Sequence, residues 1–113
     1  MKRSAILANV STVAAGFRPP RAGKHSVYVA LLAEPGALQP YGVYVGLTGL
    51  PVAQRFANHK KGHKASRCVR KHGVEVLPVG LHLRGIGWAD AERIERELHR
   101  ALVLAGVLAK GGH

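Results

Sequence analysis

Two stretches of the chain are rich in β-branched and aromatic residues, a composition that favours strands. They span Ser26–Leu32 and Tyr41–Thr48. A turn-forming Glu-Pro-Gly sequence lies between them, so the two strands are predicted to pair as an antiparallel hairpin. A hairpin centred on Gly36 places Tyr28 opposite Tyr44, on one face of the sheet. Plain cross-strand packing is one explanation of such a pair, and a functional site is the other.

The pattern after the hairpin predicts three helices and one more strand. In chain order these are helix Val52–Lys61, helix Lys64–His72, strand Val74–Leu83 and a longer helix between Gly87 and Gly106. Pro78 has no N–H to donate, so the third strand is expected at an edge of the sheet. The order ββααβα indicates an α/β domain of the α+β type, in which helices cover a small sheet.

The first 24 residues precede this pattern. The mildly apolar stretch Ala5–Phe17 follows two basic residues, which is the outline of a secretory signal. Three polar residues interrupt it, however, and Arg-Pro-Pro-Arg stands where a small-residue cleavage site is expected. We therefore expect residues 1–24 to form an arm and linker, and residues 25–113 to form the domain.

Composition narrows the class of protein. The 113 residues, 47% of them apolar, fit one domain. Seventeen Lys and Arg against six Asp and Glu give a net charge of +11, which predicts an anionic partner. Cys68 is the only cysteine, so no disulfide closes within the chain and a reducing, cytoplasmic setting is expected. The longest apolar run, Ala101–Ala109, is far shorter than the roughly 20 residues that cross a bilayer, so we expect no membrane partner.

The long C-terminal helix carries one acid at the edge of its apolar face. Ala91 and Leu102 belong to that face, and Glu95 lies about 20° beyond Leu102 on an ideal helix. A buried carboxylate without a partner costs on the order of several kcal/mol, so Glu95 needs a cation. An ordinary ion pair with Arg55 or His99 is one explanation, and a functional site is the other.

The second strand and the helix after it add further candidates. Tyr44 shares its face of the strand with Gly42 and Gly46, which indicates that a ligand or another backbone comes close there. Arg55 and His59 are four residues apart and share a helix face, where a guanidinium can bind phosphate and an imidazole can exchange protons. A zinc site that uses the next histidine is not supported, because a glycine ends the helix first and no third ligand is evident.

Taken in order, these residues resemble the GIY-YIG nuclease superfamily, which is named for Gly-Ile-Tyr and Tyr-Ile-Gly on its first two strands. The first motif appears as Ser26-Val27-Tyr28 and the second as Tyr44-Val45-Gly46. Arg55 and His59 match the helix that follows in the family, and Glu95 matches its metal-binding glutamate. Serine replaces the glycine of the first motif, and the asparagine that many members carry after the glutamate is absent.

The resemblance implies a three-stranded antiparallel sheet with flanking helices and metal-dependent hydrolysis of phosphodiester bonds in DNA. Tyr28 is then the general base and Tyr44 orients water or phosphate. Arg55 grips the scissile phosphate, His59 accepts or relays the proton, and Glu95 binds one Mg²⁺ or Mn²⁺. The basic residues that would bind the nucleic-acid backbone are Lys60, Lys61, Lys64, Arg67, Arg70 and Lys71. A catalytically silent nucleic-acid-binding module and an RNase are the alternatives.

Overall fold

A computed structural model describes residues 1–36, 39–62 and 66–111. The helices in these ranges are α1 Arg3–Ala14, α2 Val52–Lys61, α3 Arg67–His72 and α4 Trp88–Leu104, with a 3₁₀ segment at Pro78–Leu83. The strands are β1 Ser26–Gly36, β2 Gln39–Thr48, β3 Gly73–Val76 and β4 Ala109–Gly111. The fold is α+β, as the sequence predicts.

Within the described ranges, the sheet has four strands in the order β3-β1-β2-β4. β1 is antiparallel to both β2 and β3, whereas β4 runs parallel to β2 and pairs with residues 43–45. The expectation of three antiparallel strands is therefore wrong, because the chain returns after α4 and adds a short strand to the free edge of β2. Gly46 and the residues after it in β2 lie beyond the part of that edge that β4 covers.

Helices cover both faces of the sheet. Odd-numbered residues in the middle of β1 and β2, such as Val29 and Val45, are fully buried in a main core with α1, α4 and the 3₁₀ segment. Even-numbered residues, such as Tyr28 and Tyr44, belong to a second cluster with α2 and α3. The central strands are thus buried on both sides, which explains why their sequences are apolar at nearly every position.

The N-terminal segment differs from the arm that the sequence suggested. Residues 3–14 form α1, and its Ile6, Val10 and Ala14 are fully buried in the main core. These residues follow the i, i+4, i+8 spacing of one helix face. Ser11 and Thr12, which interrupt the apolar stretch in the sequence, lie on the exposed side. In the described ranges, no helix has both the length and the apolar character needed to span a bilayer.

The remaining helix boundaries follow the sequence closely. α2 ends as predicted, with Gly62 in the left-handed conformation at φ 83°. α4 begins after Gly87, also as predicted. α3 begins at Arg67, and its predicted start at Lys64 lies outside the described residues. The predicted third strand is too long, because Pro78 cannot extend the ladder and starts a 3₁₀ turn instead.

The register of the hairpin differs from the prediction by two residues. Tyr28 pairs with Gly46, and Tyr44 pairs with Ala30, because both strands extend further toward the turn and an irregularity follows Ala33. A shift of two keeps every side chain on its predicted face. The two tyrosine rings are therefore diagonal neighbours, with their centroids 6.2 Å apart.

Candidate active site

A cavity of about 310 Å³ collects most of the predicted chemical residues. Its lining comes from β1, β2, α2 and α4 and consists of Tyr28, Tyr44, Leu47, Arg55, Glu92, Glu95 and Arg96. We call it the tyrosine cavity. Four of the five predicted catalytic residues line it, and the fifth, His59, contacts both tyrosine rings behind it. A larger cavity of about 470 Å³ beside α1 contains none of them.

Gly46 leaves room for the phenol of Tyr28. A Cβ atom added to Gly46 would lie 2.6 Å from the Tyr28 hydroxyl oxygen and 2.8 Å from Cε1 of Tyr44. Both distances are shorter than real Cβ contacts. Gly42 has a different role, because a Cβ there would lie 2.8 Å from the Leu108 carbonyl oxygen. The two glycines of the predicted open face thus admit a side chain and a backbone, respectively.

Substituting Gly46 should therefore damage the site. We expect Gly46→Ala to displace the Tyr28 and Tyr44 rings and to lower any activity of the tyrosine cavity by at least about tenfold, since small misplacements at a reaction centre are costly. Gly80→Ala is the matched control, because among the described atoms a Cβ there meets only the Val27 carbonyl oxygen, at an ordinary 3.5 Å. Equal activity of the two variants would show that the tyrosines need no such room.

Hydrogen bonds fix the protonation of His59. The ring is buried, with its Nδ1 accepting from the Ser66 backbone N–H at 2.9 Å and its Nε2 2.8 Å from the Tyr28 hydroxyl. A backbone N–H can only donate, so Nδ1 carries no proton and neutral His59 carries its proton on Nε2. Nε2–H therefore donates to the Tyr28 oxygen. In this geometry the nitrogen of His59 that can accept a proton faces Ser66 and not Tyr28, whereas the resemblance implies that His59 accepts or relays the tyrosine proton.

The pKa of His59 is consistent with a neutral ring. Burial lowers that pKa, and the positive charge of Arg55 lowers it further. A second ring proton would also put Nδ1–H against the N–H of Ser66. The fold therefore holds His59 as a neutral hydrogen-bond donor toward Tyr28.

This neutrality predicts how stability depends on pH. Unfolded His59 takes up a proton as the pH falls below about 6.5, whereas the folded ring resists it, so acidification favours the unfolded chain. The His59 contribution is complete above about pH 6.5 and is lost as the pH falls toward the lowered pKa, with a slope of at most about 1.4 kcal/mol per pH unit. Urea unfolding at several pH values should show a weaker acid dependence in His59→Gln. His25→Gln controls for the loss of one histidine, and parallel curves for wild type and His59→Gln would refute the prediction.

Tyr28 is a protonated phenol in this environment. Burial raises its pKa well above the ordinary value, and the nearby Tyr44 and Glu95 add to the rise. The charge of Arg55 and its hydrogen bond to the Tyr28 side chain act in the opposite direction. Burial also raises the pKa of Tyr44, against a lowering hydrogen bond from Ser66. Ionisation of Tyr28 would therefore require additional positive charge in the tyrosine cavity.

Glu95 is the residue that the sequence predicts to bind a cation. Its side chain is 3% exposed, and it lines the tyrosine cavity together with Glu92, which accepts a hydrogen bond from Arg96 at 3.3 Å. Carboxylate oxygens are the donors that Mg²⁺ and Mn²⁺ prefer, so this donor set fits the ion that the sequence predicts. Among the described residues no three His, Cys, Asp or Glu form a metal cluster. The protein would thus contribute one or two carboxylates, and water and substrate would complete the shell.

The predicted nucleic-acid-binding residues lie mainly on α2 and α3. Lys60 has a structural contact, because its ammonium donates to the carbonyl oxygens of Arg70 and Gly73 at 3.1 and 2.9 Å, where α3 ends. Lys61 is exposed, and so is Arg70, whose guanidinium lies beside Gly62. Lys64 lies outside the described residues. Arg67 and Lys71 help to line a third cavity of about 380 Å³, whose lining is Pro35, Arg67, Cys68, Lys71, His72 and Lys110.

Three kinds of group that contribute to the site or to its basic surroundings were not predicted from the sequence. The helical wheel puts Glu92 and Arg96 off the apolar face of α4, and only the position of α4 beside β2 brings them to the cavity. Lys110 joins the basic surface through β4, a strand too short to be recognised. Ser66 acts through its backbone N–H, which no residue pattern reports.

Comparison of the chain with protein-family models, with curated proteins and with solved structures gives no match in any of the three.

Proposed function

We propose that this chain is a metal-dependent endonuclease of the GIY-YIG type, which hydrolyses phosphodiester bonds in DNA. The observation that supports this most directly is the tyrosine cavity, where two phenols, a guanidinium and a buried carboxylate from four elements meet. The net charge of +11 provides attraction to a polyanion. The single cysteine, Cys68, is a free thiol, which fits a reducing cytoplasm.

The residues of the tyrosine cavity can offset the negative charge that makes a phosphodiester hard to hydrolyse. A phosphodiester repels an attacking oxygen through its own negative charge, so catalysis must place positive charge around the phosphate. Arg55 can donate two parallel hydrogen bonds to the phosphate oxygens. Glu95, with Glu92 beside it, would hold a divalent ion, which supplies positive charge that polarises the phosphate and favours ionised groups nearby.

Tyr28 is the base in this proposal. Its ionised oxygen would take a proton from water as the water oxygen bonds to phosphorus and the bond to the leaving oxygen breaks. The Nε2–H of His59 and the Arg55 guanidinium both donate to the Tyr28 side chain, and both stabilise its anion more than its neutral form. His59 therefore positions and stabilises the base and does not accept its proton.

One observation favours a second candidate, a nucleic-acid-binding module without turnover. The raised pKa of Tyr28 leaves few ionised phenols at neutral pH. The basic residues of α2 and α3 would bind the backbone in either case.

A panel of substrates decides between these functions. Branched, nicked, linear and single-stranded DNA and matched RNA would be incubated with purified protein and Mg²⁺ or Mn²⁺, and again with a chelator. We expect DNA cleavage that the chelator abolishes. Salt-sensitive binding without product from any substrate would establish the binding module instead. Cleavage of RNA alone would establish an RNase.

A further inference from the structure

The only tryptophan of the chain, Trp88, is exposed on α4, the helix that brings Glu92 and Glu95 to the tyrosine cavity. It is the first residue of α4, and 55% of its surface is accessible. On an ideal helix Trp88 lies about 20° from Glu95 and about 40° from Glu92 around the axis. Since both glutamates line the cavity, the indole is on the cavity side of α4, about 10 Å from Glu95 along the axis.

Two loops meet at this end of the molecule. His25 forms a bridge to Ile86, with backbone hydrogen bonds of 3.0 and 2.8 Å in the two directions. A Cβ added to Gly49 would lie 3.3 Å from Nε2 of the same His25. The loop that leads into α2, with Leu50 42% exposed, therefore lies near the start of α4. The first turn of α4, which begins with Trp88, is thus close to the loop between β2 and α2.

We propose that Trp88 stacks on an unpaired nucleobase of the strand whose phosphate binds at Arg55. An exposed indole on the helix beside the Arg55 guanidinium offers a nucleic acid an aromatic face for a base and a cation for a backbone phosphate. This inference rests on the proposed function for the position of the phosphate.

Stacking on Trp88 would select for one class of DNA substrate. Bases inside a duplex are already stacked on their neighbours, and unpairing one costs a few kcal/mol. A stacking residue next to the cut therefore favours DNA with unpaired nucleotides there, such as a single strand or a flap, over continuous duplex.

Intrinsic fluorescence tests the contact directly, because Trp88 is the only tryptophan. The protein would be titrated in a chelator, to prevent cleavage, with a single-stranded oligonucleotide and with an abasic oligomer that has the same number of phosphates. We expect the first to quench Trp88 and the second to bind without quenching, with binding measured separately by anisotropy of a labelled oligomer. Equal quenching by both would overturn stacking.

Affinity of variants gives an independent readout. Trp88→Ala should weaken single-strand binding by about 5- to 150-fold and leave duplex binding unchanged, whereas Trp88→Phe should retain most of the affinity. Leu104→Ala is the matched control, since Leu104 is 79% exposed on the far side of the same helix.

The outcomes separate this inference from the proposed function. Wild-type single-strand affinity in Trp88→Ala, together with cleavage that depends on Glu95, would overturn stacking and leave the nuclease. Base-dependent quenching by a protein that cleaves no substrate would support stacking and overturn the nuclease.

Discussion

Glu95→Gln should lower metal-dependent cleavage by about 10³-fold or more. The substitution keeps the shape of a side chain that is 97% buried but removes the negative charge that would hold the ion. Charge stabilisation by a metal is worth several kcal/mol at the transition state, and each 1.36 kcal/mol is a factor of about ten in rate. Mn²⁺ binding, followed by calorimetry, should weaken in parallel, and thermal unfolding should show that the variant is folded.

Glu97→Gln is the matched control for this experiment. Glu97 lies on the same helix, is exposed, and forms a surface ion pair with Arg93 at 3.1 Å. Such pairs contribute little, so this variant should cleave at the wild-type rate. Wild-type cleavage by Glu95→Gln would assign the ion to Glu92 and refute the role proposed for Glu95.

The faces of the central strands could be predicted from sequence, but their register could not. Side chains alternate with a period of two, so Tyr28 and Tyr44 share a face under any even shift of the pairing. The register depends on where the hairpin turns, and the irregularity between Ala33 and Gly36 is a local backbone feature that leaves no clear residue pattern. The shared face was sufficient to bring the two phenols together.

The elements that sequence reasoning missed depend on tertiary packing. α1 fully buries Ile6, Val10 and Ala14, a stripe whose partner is supplied by the main core. β4 is three residues long and exists through its pairing with β2. Neither has enough local signal to stand alone, because short helices and strands gain most of their stability from the surfaces that they cover.

Some features of the candidate site could be predicted from sequence, and others depend on tertiary packing. Glu95 could be found because a carboxylate at the edge of an apolar helix face is unusual, and the structure does bury it in a cavity with Arg55. The ring nitrogen of His59 that carries the proton could not be predicted from sequence, because it depends on a backbone N–H from Ser66 that approaches from another segment. Sequence therefore predicts which groups meet, whereas the contacts between elements determine which of them donates.

Tyr28→Phe should lower cleavage by about 10²- to 10⁴-fold, the usual contribution of a general base. It also removes the acceptor of the His59 Nε2–H, so the free energy of unfolding should fall by about 1 kcal/mol. Tyr41→Phe is the matched control, because Tyr41 is half-buried on the other face of β2. We expect Tyr41→Phe to cleave like the wild type.

The pH profile distinguishes a base from a merely structural phenol. Burial raises the pKa of Tyr28, so at neutral pH the ionised form is a small fraction that grows tenfold with each pH unit. Wild-type kcat/KM should therefore rise with a slope of about one log unit per pH unit between about pH 7 and 9. Tyr44→Phe should keep this slope at a lower rate, and Tyr28→Phe should lose it. A flat wild-type profile would refute Tyr28 as the base, because a base whose pKa lies above the working pH must gain activity as it ionises.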